Sequence, residues 1–371
     1  MYAFSTMNTP MTNARLPLDS PLSTTVYSVV WPETEALIRD CLRSELEAML
    51  NQHRDAHLKH QDRLHEDFFA AWQRFAAPAV HWGPTQFPEA YPSNGSSESI
   101  REIIREATWR GEDLVVFDGD YEGYEALAEG QQTRVHHVPR AQWRQTLADW
   151  QAGQAPWGDR PVQWWVSQPS AIDGNAWPEF QDWLEATDAF ADRARVWVDL
   201  TYVGRARLTR PIVLQDRPAV AGFVFSLSKV MGAYYRRIGG CWSRDTLPGL
   251  WGNRWFKNLD SLYLGQRWLE QAGDALSQGQ RYAQEQRLAI AGSLVLLGGL
   301  DRWKASGLKW VPSDVPMLMH AANPEAEAPE DLALVWNAGR RGKHGVASRR
   351  LCLTPLLTEI VGATAYVPPE A

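Results

Sequence analysis

The sequence is short of cysteine, of net positive charge and of long apolar runs, and each shortage closes off a class of protein. Its 371 residues include only three cysteines, Cys41, Cys241 and Cys352. They are scattered and form no CxxC pair, so neither a disulfide framework nor a zinc site is expected, and the odd count suits a reducing compartment. With 37 basic against 44 acidic side chains, a net charge of −7, the chain lacks the basic footprint that broad nucleic-acid binding requires. No basic start followed by an apolar core occurs in residues 1–30, so no signal peptide is read. The most apolar stretch, LAIAGSLVLLGGL from Leu288 to Leu300, falls short of the ~20 residues that span a bilayer. The expectation is a soluble, cytoplasmic protein with no membrane and no nucleic-acid partner. Walker and GxGxxG loops are missing, as is the GxSxG elbow of serine hydrolases.

What is present is an ordinary globular balance, 44% hydrophobic and 22% charged, with an unusual 19 tryptophans. At ~100–200 residues per domain the length suggests two or three domains. Residues 1–31 read as an irregular arm broken by prolines, 33–75 as helical, and 78–92 as a loop rich in Pro and Gly. Ile100, Ile103, Ile104 and Ala107 recur at helical spacing on one face. Apolar runs at 114–117, 162–166, 196–198 and 221–225 alternate with helix-like segments at 124–130 and 178–191. That alternation implies crossover units and a mostly parallel sheet. From 259 to about 300 the chain reads as largely helical, and from 307 onward as strands with a final helix near Leu356.

Three segments carry chemistry. Asn94-Gly95-Ser96-Ser97-Glu98-Ser99 stands directly before the Ile-faced helix. Small residues there let backbone N–H groups and the helix N-terminus meet an anion, although Ser is also an ordinary helix cap. Ser226-Leu227-Ser228-Lys229 follows an apolar strand, with Arg237, Gly239 and Gly240 after it. Strand ends are where open α/β sheets place ligands, and Arg offers a planar donor fork to a phosphate. A surface lysine after a strand is the plainer alternative. Val196-Trp197-Val198-Asp199-Leu200-Thr201-Tyr202 ends a strand on an acid, 30 residues before Lys229. Such an acid keeps a basic ring nitrogen protonated, as an electron-sink cofactor needs, or simply begins a turn.

Taken in this order and spacing, the segments resemble the fold-type I pyridoxal-phosphate enzymes, specifically class I/II aminotransferases of the histidinol-phosphate and aspartate kind. The resemblance runs from about Tyr91 to Arg350. It implies that Lys229 is the Schiff-base lysine and proton shuttle. It implies further that Asp199 partners the pyridine nitrogen and that Tyr202 donates to the phenolic oxygen. Gly95, Ser96, Ser97, Ser226, Ser228 and Arg237 would then hold the phosphate. Tyr121 would stack on the ring, and Arg350, beside Arg349, would grip the substrate carboxylate. The implied cofactor is pyridoxal 5'-phosphate, with amino-acid and 2-keto-acid substrates and no metal. The implied fold is a three-layer α/β/α unit with a mainly parallel seven-stranded sheet, plus a smaller α+β domain. The corresponding boundaries are 1–77 for arm and helix, 78–265 for the cofactor-binding domain and 266–371 for the small domain. A homodimer with shared active sites is implied by the resemblance alone.

The pattern breaks at the Asn-Pro-x-Gly turn that relatives carry after the third core strand. The matching segment is Ser167-Gln168-Pro169-Ser170-Ala171-Ile172-Asp173-Gly174-Asn175. Ala171 holds the Asn position, so Asn175 substitutes or the contact is lost. Two enzyme readings therefore stand: an aminotransferase, or a lyase, cyclase or oxidase acting on an amino acid in a specialised pathway. A regulator's effector domain on this fold is disfavoured, because residues 1–75 do not read as a winged helix. The partner-reaching arm tyrosine has only Tyr27 as a candidate. His53, His57, His60 and His65 read as part of a solvated helix, and HRDAH lacks the Glu of HExxH. His136 and His137 read as an exposed strand end. Of the tryptophans, Trp164, Trp165, Trp197 and Trp242 fall near the proposed site. Only one of Trp164 and Trp165 can face a given side of a strand.

Overall fold

The computed structural model describes residues 31–45, 48, 51, 58–83, 85–232, 236–255, 257–272, 278–287, 310–316, 318–321 and 350–352. The arm with Tyr27, the 288–300 run, His53, His57, Arg349 and the expected helix near Leu356 lie outside them.

Seven strands form one sheet: β1 (Glu89–Ser93), β2 (Asp113–Phe117), β3 (Val135–Val138), β4 (Val162–Ser167), β5 (Ala194–Asp199), β6 (Val220–Ser226) and β7 (Gly239–Ser243). Their order is β1-β7-β6-β5-β4-β2-β3. The pairs from β3 to β6 are parallel, and β7 runs antiparallel to both neighbours. The apolar runs forecast β2, β4, β5 and β6. The forecast of a loop through residues 78–92 is corrected at its end, because β1 occupies the last four of them, and Val80–His81 is a short strand as well. Pro92 hides it, yet β1 is an edge strand, where a missing N–H is tolerated. Strand β7 is equally unobvious because it opens on two glycines. Both are needed for close approach: a Cβ on Gly239 would lie 2.9 Å from Gly95 Cα, and one on Gly240 would lie 2.9 Å from the Tyr91 carbonyl oxygen.

Helices cover both faces. We label α1 (Pro32–Asp40), α2 (Leu58–Ala76), α3 (Ser96–Arg110), α4 (Glu122–Glu129), α5 (Trp143–Gln151), α6 (Phe180–Thr187) and α7 (Leu259–Ala272). Pro32 opens α1 at its first turn, where its absent N–H costs nothing. On one face Ile100, Ile103, Ile104 and Ala107 of α3 pack with Leu114, Val116, Trp165, Trp197 and Val224. All four α3 residues are fully buried, each isoleucine contributing roughly 1.5–3 kcal/mol by leaving water. On the other face α2, α5 and α6 meet Val115, Phe117, Trp164, Val166, Val198 and Phe223. Trp164 and Trp165 thus serve opposite layers, as strand alternation requires. Gly111, at φ 72°, ends α3 in a left-handed turn.

Two readings of histidine are corrected. His65 lies buried on α2, not on a solvated face, and burial lowers its pKa to about 4. His136 and His137 are half-buried rather than exposed, and His136 Nε2 is 2.9 Å from the Asp113 carboxylate.

A second, antiparallel sheet joins β8 (Trp310–Pro312), β9 (Leu318–Ala321) and β10 (Arg350–Cys352). It abuts the large sheet's rim: Val315 N–H donates to the Gly174 carbonyl (3.0 Å), and Ala176 N–H donates to the Asp314 carboxylate (2.9 Å). Helix α1 lies against α7, where Trp268 Nε1 donates to Thr34 Oγ1 (3.3 Å). No described helix is long and apolar enough to cross a membrane.

Candidate active site

The site lies at the carboxyl ends of β4, β5 and β6, the rim where parallel sheets present ligands. The register sets Ser167 beside Asp199 and Asp199 beside Val224. Asp199 is therefore carried on a central strand, two positions beyond the buried Trp197. Its Oδ2 accepts from the Tyr124 hydroxyl at 3.0 Å, and its Oδ1 accepts from the Thr201 N–H at 2.9 Å and from the Thr201 hydroxyl. Burial raises its pKa. The Thr201 and Tyr124 hydrogen bonds and the Lys229 charge pull the other way. Lys229 thus stands within electrostatic reach of Asp199, as the sequence order suggested.

Lys229 is half-buried in the single helical turn Leu227–Val230 that follows β6. Ser226 caps this turn, its Oγ accepting from the Ser228 N–H (3.1 Å) and lying 3.4 Å from the Ile238 carbonyl. Its hydroxyl thus shapes the backbone that presents Ser228 and Lys229.

Beside this turn is an anion cradle. Gly95 precedes α3 at φ 78°, a left-handed conformation suited to glycine. A Cβ there would lie 2.9 Å from Arg237 Cζ, so glycine is what lets the guanidinium close over the loop. The Arg237 guanidinium donates to the Ser228 hydroxyl (3.3 Å) and to the Ser97 hydroxyl (3.4 Å). Ser96 joins the group through Thr201, whose hydroxyl lies 3.3 Å from Ser96 Oγ. A guanidinium, three hydroxyls and the first N–H groups of a 15-residue helix converge on one place, a donor set suited to a phosphate.

Tyr121 and Tyr202 form a further wall. Tyr202 packs with Ala171, Val315 and Leu318, and Tyr121 closes the same cluster. Tyr121 meets Tyr124 edge-on, with centroids 5.3 Å apart. Gly123 makes room for this, since a Cβ there would lie 2.7 Å from the Tyr121 hydroxyl oxygen. Ala171 stands in the buried turn with its N–H donating to Ser167 Oγ (2.6 Å). Asn175 is turned toward the second sheet: its Oδ1 accepts from the Asp314 N–H (2.9 Å), and its Nδ2 is 3.3 Å from His320 Nδ1. His320 is the register partner of Arg350 across β9 and β10, so the two sheets bring Asn175 and the backbone of Arg350 into one neighbourhood.

Sequence reasoning missed Tyr124, Asp120 and His320. Tyr124 stands three residues after Tyr121, and its helical spacing was the available signal. Asp120 is fully desolvated, which drives its pKa up to about 6. The Ser167 and Tyr121 hydrogen bonds oppose this shift, and the Asp199 charge adds to it. His320 had no motif around it.

No family model and no curated protein matches the chain. Among solved structures it is similar to the histidinol-phosphate aminotransferase of Sinorhizobium meliloti, in complex with pyridoxal 5'-phosphate. The TM-score is 0.61 at 16% identity, over 92% of this chain and 90% of that one. It is also similar to the L-threonine-O-3-phosphate decarboxylase of Porphyromonas gingivalis, at TM-score 0.56 and 16% identity, over 92% of this chain and 99% of that one. The PLP-bound C-S lyase of Staphylococcus hominis gives TM-score 0.58 at 9% identity, over 80% of this chain and 74% of that one. The chain has the fold of the fold-type I pyridoxal-phosphate enzymes, the aminotransferase-like kind.

Proposed function

We propose that this chain binds pyridoxal 5'-phosphate and moves an amino group between an amino acid and a 2-keto acid. The observation that carries the proposal is the juxtaposition at one sheet rim of the Arg237–Ser97–Ser228 cradle, the buried acid Asp199 and the amine Lys229. The donor set fits the cofactor. The cradle is cationic and rich in hydroxyls, and Gly95 keeps it clear of a Cβ. The acid already accepts three hydrogen bonds and is still destabilised by burial, so a protonated ring nitrogen would complete it. When bound, pyridoxal phosphate supplies an aldehyde that links to amines and a ring that accepts an electron pair.

The chain's own residues would do the rest. Gly95, Ser96, Ser97, Ser228 and Arg237 bind the phosphate, with Ser226 shaping the turn. Asp199 holds a proton on the ring nitrogen, and Tyr124 and Thr201 hold Asp199. Tyr121 and Tyr202 position the ring and its phenolic oxygen. Lys229 removes a proton from the amino acid's α-carbon and returns it elsewhere as a general acid. Arg350 orients the substrate by its carboxylate, as Arg does with planar anions. In this reading residues 78–265 hold the cofactor with helix α2 packed on their sheet, and the remainder of residues 1–77 forms a smaller unit with residues 266–371. The chain works in the cytoplasm as a homodimer with shared sites.

The engagement of Asn175 by Asp314 and His320, with Ala171 in the preceding turn, favours a second reading: a lyase, cyclase or oxidase of amino acids. Protein titrated with pyridoxal phosphate should gain a visible absorption band that Lys229→Ala lacks. Mixing with single amino acids should then give keto acid and aminated cofactor. Elimination products or oxygen uptake without amination select the second reading, and a wild type without the band refutes both.

A further inference from the structure

Arg205 belongs to no part of the site described above. It lies six residues after Asp199, in the turn where its N–H donates to the Tyr202 carbonyl (3.0 Å). Gly204 before it adopts φ 86°, and a Cβ there would lie 2.7 Å from Phe75 Cε1 and 3.3 Å from Val230 Cγ1. The turn is thus pressed between α2 and the Lys229 segment. The Arg205 side chain is 2% exposed and that of Glu285 is 3% exposed. Nε and Nη2 of Arg205 both donate to Glu285 Oε2, at 3.1 and 2.8 Å. Its third nitrogen, Nη1, donates to the backbone carbonyl of Lys229 at 3.0 Å. Glu285 sits in helical residues 278–287, which reach α2 through Gln278 Nε2 and the Phe75 carbonyl (3.1 Å).

A buried ion pair seldom adds net stability, because two charges must leave water. This one is spent on a specific contact. A guanidinium is a rigid fork, so a carboxylate that fixes two of its nitrogens also fixes where the third one points. We propose that Arg205, oriented by Glu285, is a positioning residue that anchors the main chain of Lys229 and so sets where its amine stands. The Asp199–Tyr202 turn, the Lys229 turn and the 278–287 helix are then tied through one side chain. The inference rests on the proposed role of Lys229, but its first test does not need the cofactor.

The test uses the full chain and two measurements: amide hydrogen exchange of residues 227–231 in unloaded protein, and visible circular dichroism after adding pyridoxal phosphate. Arg205→Lys keeps a charge against Glu285, but one ammonium cannot serve the carboxylate and the carbonyl in the same geometry. Exchange in the Lys229 turn should rise about ten-fold or more, the effect of losing a charge-assisted bond, with exchange in β4 and β5 unchanged. Circular dichroism per bound cofactor should fall while absorbance is retained. Glu285→Gln keeps an acceptor for Arg205 and should change both signals less. Unchanged exchange in Arg205→Lys overturns the inference. So does a rise that spreads evenly through the sheet, because a merely structural role predicts it. Raised exchange in a protein that acquires no visible band upholds the anchoring of residue 229 and removes the proposed function instead.

Discussion

Replacing Tyr124 by Phe removes one oxygen and leaves everything else that the ring does. The phenyl group still stacks on Trp165, at 5.1 Å and 27° in the native protein. What disappears is the 3.0 Å donor to Asp199 Oδ2, on a carboxylate only 5% exposed. A hydrogen bond to an ionised group contributes about 1.5–3 kcal/mol, and one between neutral groups about 0.5–1.5 kcal/mol. The cost of the substitution therefore depends on the charge of Asp199. Burial raises the folded pKa of Asp199 above its ordinary value, so the contribution of this carboxyl to stability is intact in acid and declines as pH rises through the folded value. Loss of the hydroxyl raises the folded pKa further and deepens that decline. Tyr124→Phe should thus cost about 1 kcal/mol in acid and about 2–3 kcal/mol once Asp199 is ionised. Urea unfolding of the unloaded protein at a series of pH values carried from acid through the ionisation of Asp199 measures the difference. Asp120 titrates in both proteins and largely cancels. A cost that stays equal across that ionisation, or is larger in acid, would refute the claim that Tyr124 supports the charged form.

Gly95→Ala combines a left-handed backbone, which costs an L-residue roughly 1–2 kcal/mol, with a Cβ against Arg237. It should weaken pyridoxal phosphate binding about ten-fold or more by absorbance titration, and unchanged affinity would mean that the loop does not form the cradle. Arg237→Gln removes the cradle's charge and should weaken binding by about ten- to a hundred-fold, with a shallower dependence on salt. Asp120 is held at about 6 in the folded protein against an ordinary 3.8. Its folded pKa is raised, so its contribution is intact in acid and about 3 kcal/mol is lost as pH climbs through that window. Asp120→Asn should flatten the stability profile of unloaded protein between those values, and an unaltered slope would place the titration elsewhere.

The large sheet was legible where the chain is buried on both faces, because β2, β4, β5 and β6 are short apolar runs bounded by turns. Strands β1 and β7 were not, because what makes them strands is the pairing itself. Pro92 is tolerated only at an edge, and Gly239 and Gly240 are demanded by the approach of Gly95 and Tyr91. The site divides the same way. Lys229, Asp199 and the Ser97–Arg237 cradle follow strand ends and helix starts, which local sequence marks. Tyr124, Asp120 and Arg205 act across 75, 47 and 80 residues on Asp199, Ser167 and Glu285, and no spacing rule encodes such distances. Asn175 shows the limit from the other side. Its position next to Gly174 could be read, but its engagement by Asp314 and His320 comes from a sheet more than 130 residues away.

The tryptophan content bears on the chemistry through burial rather than through contact with a ligand. Trp164, Trp165 and Trp197 are fully buried, and Trp242 is wedged with Phe69, Trp72 and Phe223 on the opposite face from Asp199's neighbours. Trp165 and Trp197 face each other across β4 and β5, stacked at 5.9 Å and 19°, and Tyr124 stacks on Trp165 in turn. The Trp197 ring extends over β6 because Gly222 has no side chain, and a Cβ there would lie 2.5 Å from its Cζ3. Residues 197 and 199 project to the same side of their strand, so this aromatic layer lies along the side of the sheet that carries the Asp199 carboxylate. An apolar floor of that size keeps water from Asp199, and desolvation is the largest influence on its ionisation. The hydroxyl of Tyr124 is the polar tip of the same layer, placed where the carboxylate needs a donor. The layer destabilises the anion, and two hydrogen-bonding neighbours restrain it. An acid so balanced gains most from a cation placed against it, which is the condition for holding a ring nitrogen in its protonated form.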